Sequence, residues 1–120
     1  KNLLVEQVWV YGSSFKSCLV AVVVPSEAGL TAWAAAAGVP GGLPELVRDA
    51  RVRAHVLEEL VATGRAEKLK GFEIVKAVHL ESGQFSVEDD LLTPTFKLKR
   101  PQLQRRFQAA IDAMYKELKE

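Results

Sequence analysis

Cys18-Leu19-Val20-Ala21-Val22-Val23-Val24 is an unbroken apolar run that ends at Pro25. Being apolar on both faces, it reads as a buried strand near the centre of a sheet. Just upstream, Gln7 to Tyr11 is short, apolar and β-branched or aromatic, and Gly12-Ser13-Ser14 follows as a turn signal. The two segments read as neighbouring strands, with Phe15 expected to pack against Trp9 across the turn.

Downstream of Pro25, Ser26 is a suitable N-cap for a helix opening at Glu27 and running to Ala37, with Gly38 as its stop. Val39 to Leu43 holds Pro40, Gly41 and Gly42 and is a loop. Pro44 opens a short helix through about Asp49. From Arg51 to about Lys68, Val52, Val56, Leu57, Leu60 and Val61 fall on one helical face. Gly64 is a point where that helix is expected to end or fray. Gly71 marks the exit, and Phe72 to Leu80 reads as a third strand. Its apolar residues do not alternate cleanly, which predicts a bulge. After a polar loop, Leu103, Phe107, Ala110, Ile111, Met114 and Leu118 predict one amphipathic helix from Pro101 to the end. The helical connection between the second and third strands suits a parallel crossover. The expected fold is a small α+β domain, residues 1–120, with a three-stranded sheet and three to four helices.

Composition narrows the function classes. A chain of 120 residues, 48% hydrophobic and 26% charged, fits one globular unit with its own core. A formal net charge of +1 argues against a dedicated nucleic-acid binder. One cysteine excludes an internal disulfide. No apolar run approaches the ~20 residues of a membrane span. The chain opens at Lys1 without an initiator methionine or targeting segment and reads as a soluble piece of something larger.

Chemistry concentrates in Leu91 to Leu103, where Pro94 and Pro101 bracket Lys97, Lys99 and Arg100. Pro94 disfavours helix at Thr93, and Pro101 suits the first turn of a helix. If the segment between them is extended, Lys97 and Lys99 point one way and Leu98 the other. Such a tip presents cations to an anionic ligand, although ordinary solvated charge on an edge strand has the same composition. His55 and His79 lack companions at metal-ligand spacing, so no metal site is expected. Cys18 reads as core, Trp9 and Trp33 as packing. Asp89 and Asp90 are adjacent and read as a solvated loop. No phosphate loop, nucleophile elbow or catalytic triad pattern is present. A lone lysine cannot complete a catalytic site, but it can stabilise charge in a site built mostly by another domain.

Four blocks carry a resemblance. Leu92-Thr93-Pro94-Thr95-Phe96-Lys97-Leu98-Lys99-Arg100-Pro101 resembles the final motif of long-chain acyl-CoA synthetases of plant or algal type. Trp9 to Phe15 and Lys16 to Pro25 resemble the first strand pair of their C-terminal domain. Leu69 to Glu73 and Ala77 to Leu80 resemble the segment before the final loop. The resemblance covers essentially the whole chain in order.

It implies a mobile lid domain of an AMP-forming, adenylate-forming ligase. Such enzymes activate a fatty acid with ATP and Mg2+ to acyl-AMP, releasing pyrophosphate, and then form the CoA thioester. In the first orientation of the lid, the lysine of the final motif bridges carboxylate and phosphate oxygens. That lysine is Lys97, with Lys99 as the second register; Thr95, Lys99 and Arg100 are candidates for substrate or interdomain contact. Asp89 and Asp90 are further candidates for interdomain contact. Many members of the superfamily have glycine before the lysine, where this chain has Phe96. The hinge, the CoA-tunnel loop and the N-terminal nucleotide- and acyl-binding domain lie outside this sequence. The expected partner is therefore that N-terminal domain of the same polypeptide, together with fatty acid, ATP and CoA. No ligand is expected on the chain alone, nor any synthetase activity. The resemblance suggests endoplasmic reticulum, peroxisome or plastid association for the whole protein. The competing class is a free-standing anion-binding or interaction module using Lys97, Lys99 and Arg100.

Overall fold

The computed structural model describes residues 4–12, 18–66 and 75–118. Strands β1 (Val5–Gly12), β2 (Leu19–Pro25) and β3 (Val75–Leu80) form a sheet in the order β1-β2-β3. Helices α1 (Glu27–Ala37), α2 (Leu43–Leu46) and α3 (Ala50–Ala66) lie between β2 and β3 in the chain. Helices α4 (Arg100–Arg106) and α5 (Gln108–Glu117) follow β3.

The apolar run is the centre of the structure. β2 pairs antiparallel with β1 and parallel with β3, the crossover being supplied by α1 to α3. Val20, Val22 and Val24 face one core, with Trp9, Leu103, Ile111 and Tyr115. Ala21 and Val23 face a second core, with Leu30, Leu46, Val52 and Val56. A strand that must be apolar on both faces is thus explained by helices on both sides of it. The pairing of β3 skips from Val75 to Ala77 while β2 advances one residue. Lys76 is the extra residue, and this bulge is why the apolar pattern of the third strand does not alternate.

Local signals set most boundaries. The Ser26 hydroxyl accepts from the Gly29 amide at 3.3 Å and caps α1, while Gly38 ends it at φ 77°. Asp49 caps α3: its carboxylate accepts from the Arg51 amide at 2.8 Å.

Several expectations are corrected. α3 does not end at Gly64; it continues to Ala66, and Gly64 is buried. Cys18 stands just before β2 and is half-buried rather than inside the strand. The described residues form five helices rather than three to four, because the last amphipathic stretch breaks at Phe107 (φ −109°, ψ 18°). The Phe107 ring sits 5.9 Å from that of Phe85 and 6.0 Å from that of His79. Leu103, Phe107 and Ile111 keep i, i+4, i+8 spacing through the break, so periodicity does not reveal it. The expected packing of Phe15, the Gly71 exit and the strand residues 72–74 lie outside the described residues.

Candidate functional site

The segment from Phe85 to Lys99 is anchored at its base and free at its tip. Phe85, Leu91 and Leu92 are buried in the core that contains Trp9 and Leu103. Gln7 of β1 grips the base from both sides of its amide. Its Oε1 accepts from the Phe85 amide at 2.7 Å, and its Nε2 donates to the Phe85 carbonyl at 3.2 Å. The Leu91 and Leu92 amides both donate to the Ser86 carbonyl.

Beyond Leu92 the chain doubles back. Leu92 and Leu98 form an antiparallel bridge, and Leu98 packs against the core. The Thr93 amide donates to the Lys97 carbonyl at 2.8 Å, and the Phe96 amide to the Thr93 carbonyl at 2.7 Å. Pro94-Thr95-Phe96 is therefore the loop of a tight hairpin. Proline suits its first position because its φ is already fixed. The Thr93 hydroxyl lies 3.0 Å from the Thr95 hydroxyl and accepts from the Lys97 amide at 3.1 Å. The expectation of one extended segment between the prolines is corrected: the chain reverses at Pro94–Phe96, and Pro101 lies in the first turn of α4.

The last loop position carries a cost. Phe96 has φ 64°, in the left-handed region that glycine occupies freely. For a residue with a β-carbon this costs roughly 1–2 kcal/mol. The residue is 74% exposed, so packing within the described residues offsets little of that.

The two candidate lysines are placed differently. Lys97 follows Phe96 directly and is exposed, and among the described residues its ammonium meets no carboxylate. Lys99 is half-buried and paired with Asp90. Its ammonium donates to that carboxylate and holds the Asp90 carboxyl below the usual range. Asp90 itself has φ 62°, a conformation aspartate tolerates better than most residues. Asp89 is exposed in the same turn, its amide donating to the Ser86 hydroxyl at 3.1 Å. Thr95 is exposed at the tip. Arg100 opens α4 and lines a shallow cleft with Tyr11, Gly12 and Gln104.

Sequence reasoning missed the Lys99–Asp90 pair and the strained Phe96. The readable signal was Thr93-Pro94-Thr95, a turn opening with proline at its second position.

Elsewhere, Trp33 stacks on His55 with ring centroids 4.2 Å apart, a packing contact. His79 Nε2 lies 3.3 Å from Glu81 Oε1. Among the described residues, no three His, Cys, Asp or Glu side chains stand close enough to hold a metal ion. Nor is any described helix long and apolar enough to cross a membrane.

No family model matches the chain. Individual proteins do, over nearly its whole length. It is 50% identical over 117 residues to long chain acyl-CoA synthetase 5 of Arabidopsis thaliana, covering 98% of this chain and 18% of that protein. It is 42% identical over 115 residues to long-chain-fatty-acid–CoA ligase 1 of Cavia porcellus, covering 96% of this chain and 16% of that protein. Among solved structures it resembles the adenylation domain of a carboxylate reductase from Mycobacterium chelonae, with TM-score 0.76 and 29% identity over 93% of this chain and 16% of that one. The A-PCP didomain of the Segniliparus rugosus carboxylic acid reductase, a complex with AMP, gives TM-score 0.77 at 29% identity over 97% of this chain and 14% of that one. In sequence, then, the chain is similar to the C-terminal part of long-chain acyl-CoA synthetases, and in fold to part of the adenylation domains of adenylate-forming enzymes.

Proposed function

We propose that this chain is the C-terminal lid of a long-chain fatty-acid–CoA ligase and that Lys97 is its adenylation lysine. The whole enzyme would convert a fatty acid and ATP to acyl-AMP and pyrophosphate, then acyl-AMP and CoA to acyl-CoA and AMP. The nucleotide, acyl and CoA sites would lie mainly in an N-terminal domain of the same polypeptide. The chain spans 18% of the first relative's length, which leaves room for such a domain.

One observation carries the choice of residue. Among the described residues Lys97 meets no carboxylate at the tip of an anchored hairpin, whereas Lys99 is already paired with Asp90. A free ammonium on a flexible stem is a point charge that a lid can carry into a site and withdraw. There it would stabilise the negative charge shared between carboxylate and phosphate oxygens as the new bond forms. Lys99 would serve by holding Asp90, and through it the base of the hairpin. Thr95 and Arg100 would contribute contacts to substrate or to the other domain. The described residues supply no metal-ligand cluster, so no Mg2+ ligand is assigned to them.

The test is Lys97→Ala in the full-length parent, with the half-reactions assayed apart. Fatty-acid-dependent pyrophosphate exchange should fall by about 10²–10³-fold, while thioester formation from synthetic acyl-adenylate and CoA survives. The 120-residue chain alone, in the same assays, should form no acyl-CoA. Exchange that survives Lys97→Ala overturns the assignment; Lys99→Ala then becomes the variant to examine, and its failure favours an anion-binding module.

A further inference from the structure

Phe96 holds a left-handed backbone conformation and exposes 74% of its surface beside Lys97. Each property is unfavourable in the chain as described. Glycine would remove the strain, and any polar residue would remove the exposed apolar surface. The neighbouring parts of the hairpin show no such conflict. Leu92 and Leu98 turn inward onto the core, Thr93 and Thr95 are hydrogen-bonded, and Lys99 is paired. The conflict is confined to the one residue that immediately precedes the free ammonium. Backbone strain that local structure does not repay is characteristic of ligand clamps and switch regions.

Resting on the function proposed above, we infer that Phe96 is a positioning residue for the adenylation step. Its ring docks on an apolar surface of the N-terminal domain when the lid enters that orientation. The geometry explains why a ring is useful there. Lys97 lies at the tip of a long flexible stem, and an ammonium alone fixes neither the depth nor the angle at which a hairpin enters a site. A rigid aromatic side chain one residue away adds large contact area with few torsions to freeze. The left-handed backbone holds that ring outward on the hairpin tip instead of folded onto the core. The ring would act through Lys97 and take no part in bond making. In the thioester-forming orientation the tip is withdrawn and the contact is broken, so the two half-reactions should respond differently.

The experiment compares Phe96→Ala, Phe96→Gly and Phe96→Leu in the full-length parent, with Lys97→Ala alongside. Alanine and glycine should both lower kcat for fatty-acid-dependent pyrophosphate exchange by about 10- to 100-fold, with KM for ATP and fatty acid little changed. Leucine, still bulky and apolar, should recover most of the rate. Thioester formation from synthetic acyl-adenylate should stay within about twofold of the parent in all three. That second assay also reports whether each variant is folded. Four results overturn the inference: exchange unaffected by alanine; exchange retained by glycine but not alanine, which makes the backbone rather than the ring decisive; leucine as poor as alanine; or both half-reactions falling together. If exchange survives Lys97→Ala as well, the underlying function fails too. If Lys97→Ala abolishes exchange while Phe96→Ala does not, the positioning role alone is lost.

Discussion

Strand β2 and the hairpin tip follow opposite rules. Along β2, Val20 to Val24 are buried on both sides, and the helices that cover them are capped by Ser26 and Asp49 within the same chain. The helix ends there find their compensation within a few residues. At Thr93 to Lys97, an exposed ring, a strained backbone and a free cation follow one another with no such compensation among the described residues. The base of the hairpin belongs to the first regime, through Gln7, Phe85, Leu91 and Leu98. The tip belongs to the second. A segment that is costly for the chain holding it, on a base that is not, is the arrangement expected of a part that works on something else.

The largest effect that separates the two regimes is a core truncation. Leu103 of α4 is fully buried between the sheet and α5. Leu103→Ala should cost about 2–5 kcal/mol in denaturant unfolding of the chain. Lys97→Ala, which should sharply reduce exchange in the parent, should leave that unfolding curve within about 0.5 kcal/mol of the original. A Lys97→Ala chain destabilised as much as Leu103→Ala would place the lysine in the structural regime and break the comparison.

A smaller effect, of opposite sign, is expected at Phe96. Glycine there relieves a left-handed strain of roughly 1–2 kcal/mol and costs about 0.5–1 kcal/mol in unfolded-state freedom. The chain should therefore gain up to about 1.5 kcal/mol in stability from Phe96→Gly, read as a rise in unfolding midpoint at unchanged slope. The variant that stabilises the chain is also expected to slow adenylation in the parent, which is the trade typical of functional strain. A loss of stability would mean that the ring already packs within this chain.

The difference between the regimes also explains what the sequence revealed. The central strand, its parallel crossover, the Ser26 cap, the Gly38 stop and the bulge in β3 were legible because periodicity and turn chemistry are local signals. The break at Phe107 was not, because Leu103, Phe107 and Ile111 keep helical spacing through it. Gly64 misled in the other direction, since its cost is small enough for the buried face of α3 to carry. At the site, two prolines and three cations marked the tip, and the family motif picked out Lys97. The hairpin reversal depends on hydrogen bonds among Thr93, Phe96 and Lys97, and the fate of Lys99 on Asp90, nine residues earlier. Neither pairing follows from spacing.

The smallest expected effect concerns two carboxylates, one capping α3 and one at the base of the hairpin, on which the tip stands. Asp49 accepts from the Arg51 side chain at 3.1 Å and 2.8 Å and from its amide at 2.8 Å. These bonds, the guanidinium first, hold its pKa down to about 2. Asp90 is lowered in the same direction by Lys99. A carboxyl whose folded pKa lies below its unfolded value, ~3.9, favours the charged folded form. Its contribution is complete above that unfolded value and is lost as pH falls toward 2. The chain should thus lose stability on acidification from pH 4 to 2, and Asp49→Asn should flatten part of that slope while keeping an oxygen to cap α3. Asp90→Asn should flatten a separate part and, in the parent, disturb exchange as well, because it releases the base of the hairpin. Unfolding midpoints measured at pH 2, 3, 4 and 6 for both variants decide the matter. A slope unchanged by Asp49→Asn would move the acid sensitivity away from the α3 cap, and exchange unchanged by Asp90→Asn would show that the tip does not rely on its ion pair.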